Sequence, residues 1–297
     1  MQPRVALFAD HVEFHVRELE SAFAARGVLC RRVRLADCGF DSSRPGGLAI
    51  PGFEEALPDL AVVRAVGAGA FESVTLRLGL LHALQSCGVP VLNHARAIER
   101  CVDKAATSFL LAHAGLPTPA TFAVQTREAA RAIFAREGGT LVLKPLFGAQ
   151  GRGLKLLRST DDLPEESEIN GVFYLQRFVG PVSGPFVDMR LFVSRGRLLG
   201  AMLRRSQNWI TNVKLGGAPE AFAPEPALVA LALRAAACVD ADFAGVDMIL
   251  DETGAPQILE VNSMPGWRGL QSVTAVNLSG LIADDALAAL AQARSAA

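Results

Sequence analysis

Three side chains carrying hard oxygen donors fall close together in the last third of the sequence. Asp247 lies in the apolar run Gly245-Val-Asp-Met-Ile-Leu250, and thirteen residues later Glu260 and Asn262 interrupt a second run, Ile258-Leu-Glu-Val-Asn262. Successive side chains on a strand alternate between faces, so Glu260 and Asn262 share one face while Leu259 and Val261 share the other. The intervening Asp251-Glu-Thr-Gly254 reads as a hairpin turn that brings Asp247 alongside Glu260. An acidic residue near a strand end is often merely solvated. Two carboxylates and an amide on paired strands, by contrast, make an oxygen-only set suited to Mg²⁺, which is commonly held by one or two carboxylates together with substrate phosphates.

A phosphate partner for such a metal is legible upstream. In Lys144-Pro-Leu-Phe-Gly-Ala-Gln-Gly-Arg-Gly153 a lysine at a strand end precedes a loop containing Gly148, Gly151 and Gly153. Such a loop brings backbone N–H groups close to phosphate oxygens while the ammonium supplies a point charge. Neither the Walker order nor the dinucleotide fingerprint is present, and the same loop would also serve as a plain hairpin connection. Lys104, Asp188, Arg190, Arg204, Arg205 and Asn212 are further polar residues at element ends or in apolar surroundings. Each alone reads as a surface charge or a local hydrogen-bonding group. Arg190 and Arg204, however, fall on two strands joined through Ser194-Arg-Gly-Arg197, where long cations reach across a cleft toward phosphate or carboxylate.

The elements that must position these groups form three units. Arg4 to Ala9, a helix from His11 to Arg26 stopped by Gly27, and a strand from Val28 to Leu35 make a βαβ opening. Further strands at Leu60 to Val66 and Val89 to Asn93, with a helix around Ser73 to Cys87 between them, imply a parallel sheet with helices on its faces. This first unit spans about residues 1–95. A helix from Asp103 to Ala114, a strand near Thr121 to Val124, a helix started by Thr126, and strands at Leu141 to Lys144, Gly153 to Leu157 and Val172 to Phe178 make a small α+β unit over 96–180. The third unit, 181–297, holds the Met189 to Val193 and Leu198 to Arg204 hairpin, a helix near Pro226 to Val239, the Asp247 hairpin and a terminal helix from about Leu278. The fold class is therefore α/β plus α+β.

Composition narrows the functions. With 297 residues, 51% apolar, 20% charged and a formal net charge of −1, the chain has ample core and no overall charge suited to nucleic acid. Five cysteines without a Cys-x-x-Cys pair fit reduced thiols in ordinary packing. The N-terminus moves straight into a strand, and no apolar run approaches the roughly 20 residues needed to span a bilayer, so a soluble cytoplasmic protein with no membrane partner is expected.

Asp103-Lys104, Lys144-Pro with its glycine-rich loop, Asp188-Met-Arg190, Gly245-Val-Asp247 and Glu260-Val-Asn262 occur in the order seen in ATP-grasp ligases, which the chain resembles over nearly its whole length. Within that superfamily it is most similar to the RimK-type branch, whose members act on protein tails, on a carrier protein and on the coenzyme tetrahydromethanopterin. Trp209-Ile-Thr-Asn212 followed by Gly216-Gly217 resembles the carrier-protein and coenzyme ligases. The resemblance implies a three-domain ATP-grasp fold with an N-terminal Rossmann-like (pre-ATP-grasp) domain and ATP held between two α+β domains. It further implies that Lys104 and Lys144 contact nucleotide phosphates, that Gln176, Arg177 and Phe178 form the adenine-binding linker, and that Asp188 contacts ribose. Asp247, Glu260 and Asn262 match magnesium ligands, with Mn²⁺ as a substitute, and Arg204 or Arg205 with Asn212 matches the region handling the transferring phosphate. Arg177 stands where related proteins commonly carry Glu, which a backbone contact to adenine tolerates.

By the same resemblance, the γ-phosphoryl of ATP passes to a substrate carboxylate and an amino acid's amine attacks the acylphosphate. No protein nucleophile is required, in keeping with the lack of a Ser/His/Asp or Cys/His signature. The expected reaction joins L-glutamate to a small pterin-type coenzyme or its precursor. Two alternatives stand beside it, a protein or carrier-protein tail as acceptor and a non-catalytic ATP-binding regulator. Arg64, Asn93, Ser263, Trp267 and Arg268 are candidate contacts for the acyl substrate, with a surface ion pair or a packed turn as the competing reading for Arg64 and for Trp267-Arg268. A dimer or tetramer is expected from the resemblance alone.

Overall fold

The computed structural model describes residues 2–148, 151–181 and 183–296. Its first sheet is parallel, in the order β2-β1-β5-β6, from β1 (Arg4–Phe8), β2 (Leu29–Val33), β5 (Leu60–Val63) and β6 (Val91–Leu92). A small ribbon of β3 (Gly39–Phe40) and β4 (Leu48–Ala49) lies between β2 and β5 in the chain. The interior strands are buried on both faces, as their unbroken apolar runs require: all of β5 and four of the five residues of β1 are buried. Helices α1 (Phe14–Ala24) and α2 (Phe71–Ser86) make the crossovers.

The second sheet is antiparallel, in the order β7-β10-β8-β9, from β7 (Thr121–Val124), β8 (Leu141–Lys144), β9 (Lys155–Leu157) and β10 (Phe173–Arg177). Helix α5 (Arg127–Glu137) covers one face through Ala130, Ile133 and Phe134; Thr126 caps its start, and Gly138 ends it in the left-handed conformation. The expected helix over Asp103 to Ala114 is the second of two. The chain runs through α3 (Ala95–Val102), breaks at Asp103, and continues as α4 (Lys104–His113), because the Asp103 carboxylate accepts from the N–H groups of Ala105 and Ala106 and so starts a new helix.

The third sheet, β13-β12-β11-β14-β15, is antiparallel throughout and carries the long hairpins read from the sequence. Strands β11 (Phe186–Ser194) and β12 (Arg197–Ser206) meet at Arg195-Gly196, whose φ angles of 46° and 77° are those of a two-residue turn matching strand twist. β13 (Ala218–Ala221) forms one edge. β14 (Phe243–Leu250) and β15 (Pro256–Asn262) are joined by Asp251 to Ala255, where Asp251 Oδ1 accepts from the N–H groups of Thr253 and Ala255. Helix α6 (Pro226–Cys238) packs on this sheet, and the short α7 (Arg268–Gln271) follows the loop after β15.

One grouping differs from the sequence reading. The terminal helix α8 (Leu278–Ala296) packs on α1 and the first sheet, its Leu278, Ile282, Ala283 and Ala286 sharing a core with Val5, Leu7, Val16 and Leu19. The same core takes in Phe192, Met202, Phe243 and Trp267 from the third unit, so the first and third sheets are fused through one apolar cluster. An alanine- and leucine-rich helix matches any sheet face, and which one it covers is decided by the path of the chain.

Candidate functional site

The polar residues singled out from the sequence meet because antiparallel register sets them in rows. Asp188 on β11 stands opposite Arg204 on β12; Arg190 on β11 stands opposite Asp247 on β14, which stands opposite Glu260 on β15. Asn262 is opposite Gly245, next along the same face, and its Nδ2 donates to Glu260 Oε1 at 3.0 Å. The expected convergence of Asp247, Glu260 and Asn262 on one face is therefore the observed geometry. Asp247 is buried, whereas the Glu260 side chain keeps 31% of its surface exposed toward the cleft.

The arginines are tied to these carboxylates. Arg190 donates from Nε and Nη2 to the two oxygens of Asp247, each at 2.5 Å. Arg204 makes a two-pronged pair with Asp188, and its Nη2 lies 3.0 Å from Asp247 Oδ2. Thr211, from the Trp209 to Asn212 motif but not itself singled out, donates its hydroxyl to Asp188 at 2.7 Å. Asp188 thus anchors Arg204 and Thr211 while lining the cleft. Burial alone would raise the Asp247 pKa, but Arg190 and Arg204 outweigh it and hold the carboxyl below the usual range. Arg205, one residue from Arg204, points to the other face and pairs with Glu220 at 2.7 Å in the open; of the two arginines, Arg204 alone lines the cleft.

Two lysines approach from the second sheet and α4. Lys144 ends β8 and donates to Gln176 Oε1 at 2.6 Å; Gln176 Nε2 in turn donates to Thr121 Oγ1 at 3.2 Å, which fixes the amide. Gln176 is buried and holds the lysine. Lys104 opens α4, a place where the helix dipole disfavours a cation, and donates to the carbonyls of Gly148 at 2.8 Å and Leu146 at 3.3 Å. Burial pushes both ammonium pKa values below the ordinary lysine range, partly opposed by Glu260. Neither is hydrogen-bonded to a carboxylate among the described residues.

Lys104, Lys144, Gln176, Asp188, Arg204, Asp247 and Glu260 line one cleft between the second and third sheets, beside a small recess that Asn262 lines with Lys104 and Glu260; the cleft measures about 950 Å³ including its open mouth. Its apolar walls include Val142, Leu154, Phe178, Phe186, Ile210 and Leu259, and Phe178 meets Trp209 edge to face at 6.3 Å between ring centres. Gly148, Gly151, Arg152 and Asn212 also line it. Gly151 has φ 72°, and a Cβ there would lie 2.7 Å from Asn212 Oδ1 and 2.9 Å from Ile210 Cγ2, so the loop seats against the Trp209–Leu215 segment only as glycine. Gly153 would likewise press on Pro145, at 2.8 Å. The loop's Ala149 and Gln150 lie outside the described residues. Arg177 also borders the cleft, and its guanidinium pairs with Glu137 at 2.6 Å on the surface.

Arg64, Asn93, Ser263, Trp267 and Arg268, considered for the acyl substrate, lie outside the lining of this cleft. Asn93 is buried and clasps two strands, accepting from Phe243 N and donating to the carbonyls of Phe243 and Ser263. Ser263 is buried beside it, and Trp267 has no exposed surface. None of the three is open to a substrate. Arg64 lies 4.8 Å over the Trp267 ring and donates to Pro265 O at 2.8 Å, while His15 Nε2 accepts from Trp267 N at 3.0 Å and Arg268 N at 3.3 Å. Arg64 and His15 thus fasten the segment after β15 to the first sheet. Burial also lowers the His15 pKa to about 4, so the ring is neutral at pH 7 and can accept those bonds. Arg268 is exposed, 5.8 Å over the Phe14 ring. Burial pushes the Cys30, Cys38 and Cys101 thiols up to about 12, in keeping with packing rather than reactivity.

An apolar slot, two lysines held by neutral oxygens and a carboxylate–carboxylate–amide set suit a magnesium-bound nucleoside polyphosphate. The fold agrees. The chain superposes on PsnB, an ATP-grasp ligase solved with a phosphomimetic minimal precursor, Mg and ADP, with a TM-score of 0.76 at 20% identity over 97% of this chain and 99% of that one. It also matches the RimK domain ATP-grasp protein of Sphaerobacter thermophilus, with a TM-score of 0.73 at 27% identity over 96% and 99% of the two chains. The architecture is that of an ATP-grasp ligase. In sequence, the tetrahydromethanopterin:α-L-glutamate ligase of Methanosarcina acetivorans is 32% identical over 90% of this chain and 93% of its own. The RimK-like ATP-grasp domain matches residues 101–285, and the chain belongs to that family. It is an ATP-dependent carboxylate–amine ligase.

Proposed function

We propose that the protein adds L-glutamate to a small coenzyme of the tetrahydromethanopterin type, or to its precursor, through an acylphosphate. The observation that carries the site's part in this is the Asp247–Glu260 pair, with Arg204 beside Asp247, lining one cleft together with Lys104 and Lys144. Relatives named for that glutamate ligation, 32% to 35% identical, support the substrate class.

In this reading Val142, Phe178, Ile210 and Leu259 hold the adenine, and the linker Gln176 to Phe178 borders it. Lys104, Lys144 and the N–H groups around Gly148, Gly151 and Gly153 take the phosphates. Asp247, Glu260 and Asn262 hold Mg²⁺, or Mn²⁺ in its place, which when bound neutralises charge on the polyphosphate. Lys144, desolvated and set by Gln176, and Arg204, fixed by Asp188, stabilise negative charge on the moving phosphoryl group without reorganising. The glycine-rich loop, whose Gly151 packs on Ile210, Asn212 and Leu215, excludes water from the acylphosphate before the amine attacks. Units of 1–95, 96–180 and 181–297, the last lending α8 to the first, and a dimer or tetramer complete the proposal.

The test is ADP release from ATP with L-glutamate and a panel of acceptors that includes pterin coenzymes and glutamate-ended peptides. Turnover with a pterin acceptor, abolished by Glu260→Gln, is expected. Turnover only with peptides moves the acceptor to a protein tail, and nucleotide binding with no turnover on any acceptor favours a regulatory protein.

A further inference from the structure

Two guanidinium groups, those of Arg190 and Arg204, stand against Asp247, one of the residues assigned to the metal. A carboxylate offers about four lone-pair positions. Arg190 takes one on each oxygen, and Arg204 approaches a further one on Oδ2 at 3.0 Å, so Oδ1 alone keeps an open position. The two arginines are not equivalent. Arg204 is buried and is held independently by its two-pronged bond to Asp188. Arg190 is more open, with 12% of its side chain exposed, and among the described residues its guanidinium has no hydrogen-bond acceptor besides Asp247. Its Nη2 also stands 3.8 Å from Glu260 Oε1. It therefore places a unit charge between the two carboxylates that a shared divalent ion would bridge.

We propose that Arg190 is an exchangeable counter-ion for the Asp247–Glu260 pair: it keeps free divalent cations out, and it turns to the nucleotide's phosphates when these arrive with their metal. The inference rests on the metal reading of Asp247 and Glu260 given above. Two consequences follow from charge alone. Without nucleotide, a divalent ion must displace a guanidinium or share a carboxylate with it, and like charges a few ångströms apart in a poorly hydrated cleft repel strongly. With nucleotide, the polyphosphate supplies both extra metal ligands and a new partner for the arginine. Metal and nucleotide binding are then coupled, each strengthening the other by the same factor. Arg204 cannot play this part, because leaving Asp247 would not free it from Asp188.

Mn²⁺ binding read by electron paramagnetic resonance on the intact chain tests this without catalysis. In the absence of nucleotide, Arg190→Gln is expected to bind Mn²⁺ at least about tenfold more tightly than wild type, since a neutral amide removes the competing charge. Arg190→Lys, which retains the charge, should stay within about threefold of wild type. The double variant R190Q/E260Q should lose the gain. Unchanged or weaker Mn²⁺ binding by folded R190Q overturns the inference. So does a wild-type protein that takes up Mn²⁺ at micromolar concentration without nucleotide in a manner lost on Glu260→Gln, a result that needs no Arg190 variant to fold. The metal reading is checked separately with ADP present: Mn²⁺ binding indifferent to Glu260→Gln there would remove the site itself, and the counter-ion with it.

Discussion

The two sides of the molecule that meet at the cleft hold their cations in opposite ways. On the third sheet, Arg190 and Arg204 are paired with Asp247 and Asp188, so much of their charge is cancelled before any ligand arrives. On the other wall, Lys104 and Lys144 are held by neutral oxygens, the carbonyls of Leu146 and Gly148 and the amide of Gln176. Dipoles orient a cation without neutralising it. The lysine wall is therefore electrostatically unsatisfied, which burial makes plain by depressing both ammonium pKa values. The arginine wall is a closed ion network whose worth lies in position. One wall waits for an anion; the other frames the place where metal and phosphate meet.

The difference can be broken at four points. Asp188→Asn should cost the most, because it leaves Arg204 buried with Asp247 as its remaining carboxylate; halved buried pairs lose about 3–5 kcal/mol, and the surviving contact at 3.0 Å places this one at the low end. Urea unfolding measures it, and a loss below about 1 kcal/mol would mean the pair is not an anchor. Lys144→Met should leave the fold intact and reduce kcat/KM for ATP by about 10²-fold, the scale of losing one preorganised charge in a dry site. An unchanged steady-state rate would remove the lysine from the chemistry.

The third point is pH. A lysine whose pKa is lowered on folding penalises the folded state below its folded pKa, and the penalty is relieved as pH rises toward the unfolded value near about 10.4. Nucleotide binding runs the other way, since it needs the ammonium charged. ATP affinity should therefore fall with rising pH before an ordinary lysine titrates, while stability rises over the same range. Calorimetric titration and denaturant melts at matched pH separate the two slopes, and parallel slopes would contradict the reading. The smallest effect belongs to Arg205→Ala. Its exposed pair with Glu220 faces away from the cleft, so ATP turnover should stay within about twofold of wild type. A larger drop in steady-state assays would bring Arg205 back into the site.

The sequence alone carried the strand alternation that sets Glu260 and Asn262 on one face, the turn at Asp251 to Gly254, and hence the meeting with Asp247, because these depend on local period and loop length. It also carried the strand-end Lys144 and the family motifs in order. It left Arg204 and Arg205 undecided, since adjacent residues differ only in which face the sheet buries, and register settled that for Arg204. It offered Asn93, Ser263 and Trp267 as candidate substrate contacts, and the interlocking of two sheets makes them interior. The partners of Thr211 and Thr121, which hold Asp188 and Gln176, were not legible even though Thr211 sits within the quoted Trp209 to Asn212 motif, because a hydroxyl's partner is fixed by what lies within hydrogen-bond reach in space. What the tertiary structure decided was pairing: which carboxylate cancels which arginine, which lysine stays uncancelled, and which sheet the last helix covers. Periodicity is written along one chain, whereas electrostatic and apolar partners come from segments far apart in it, and only the folded path brings those together.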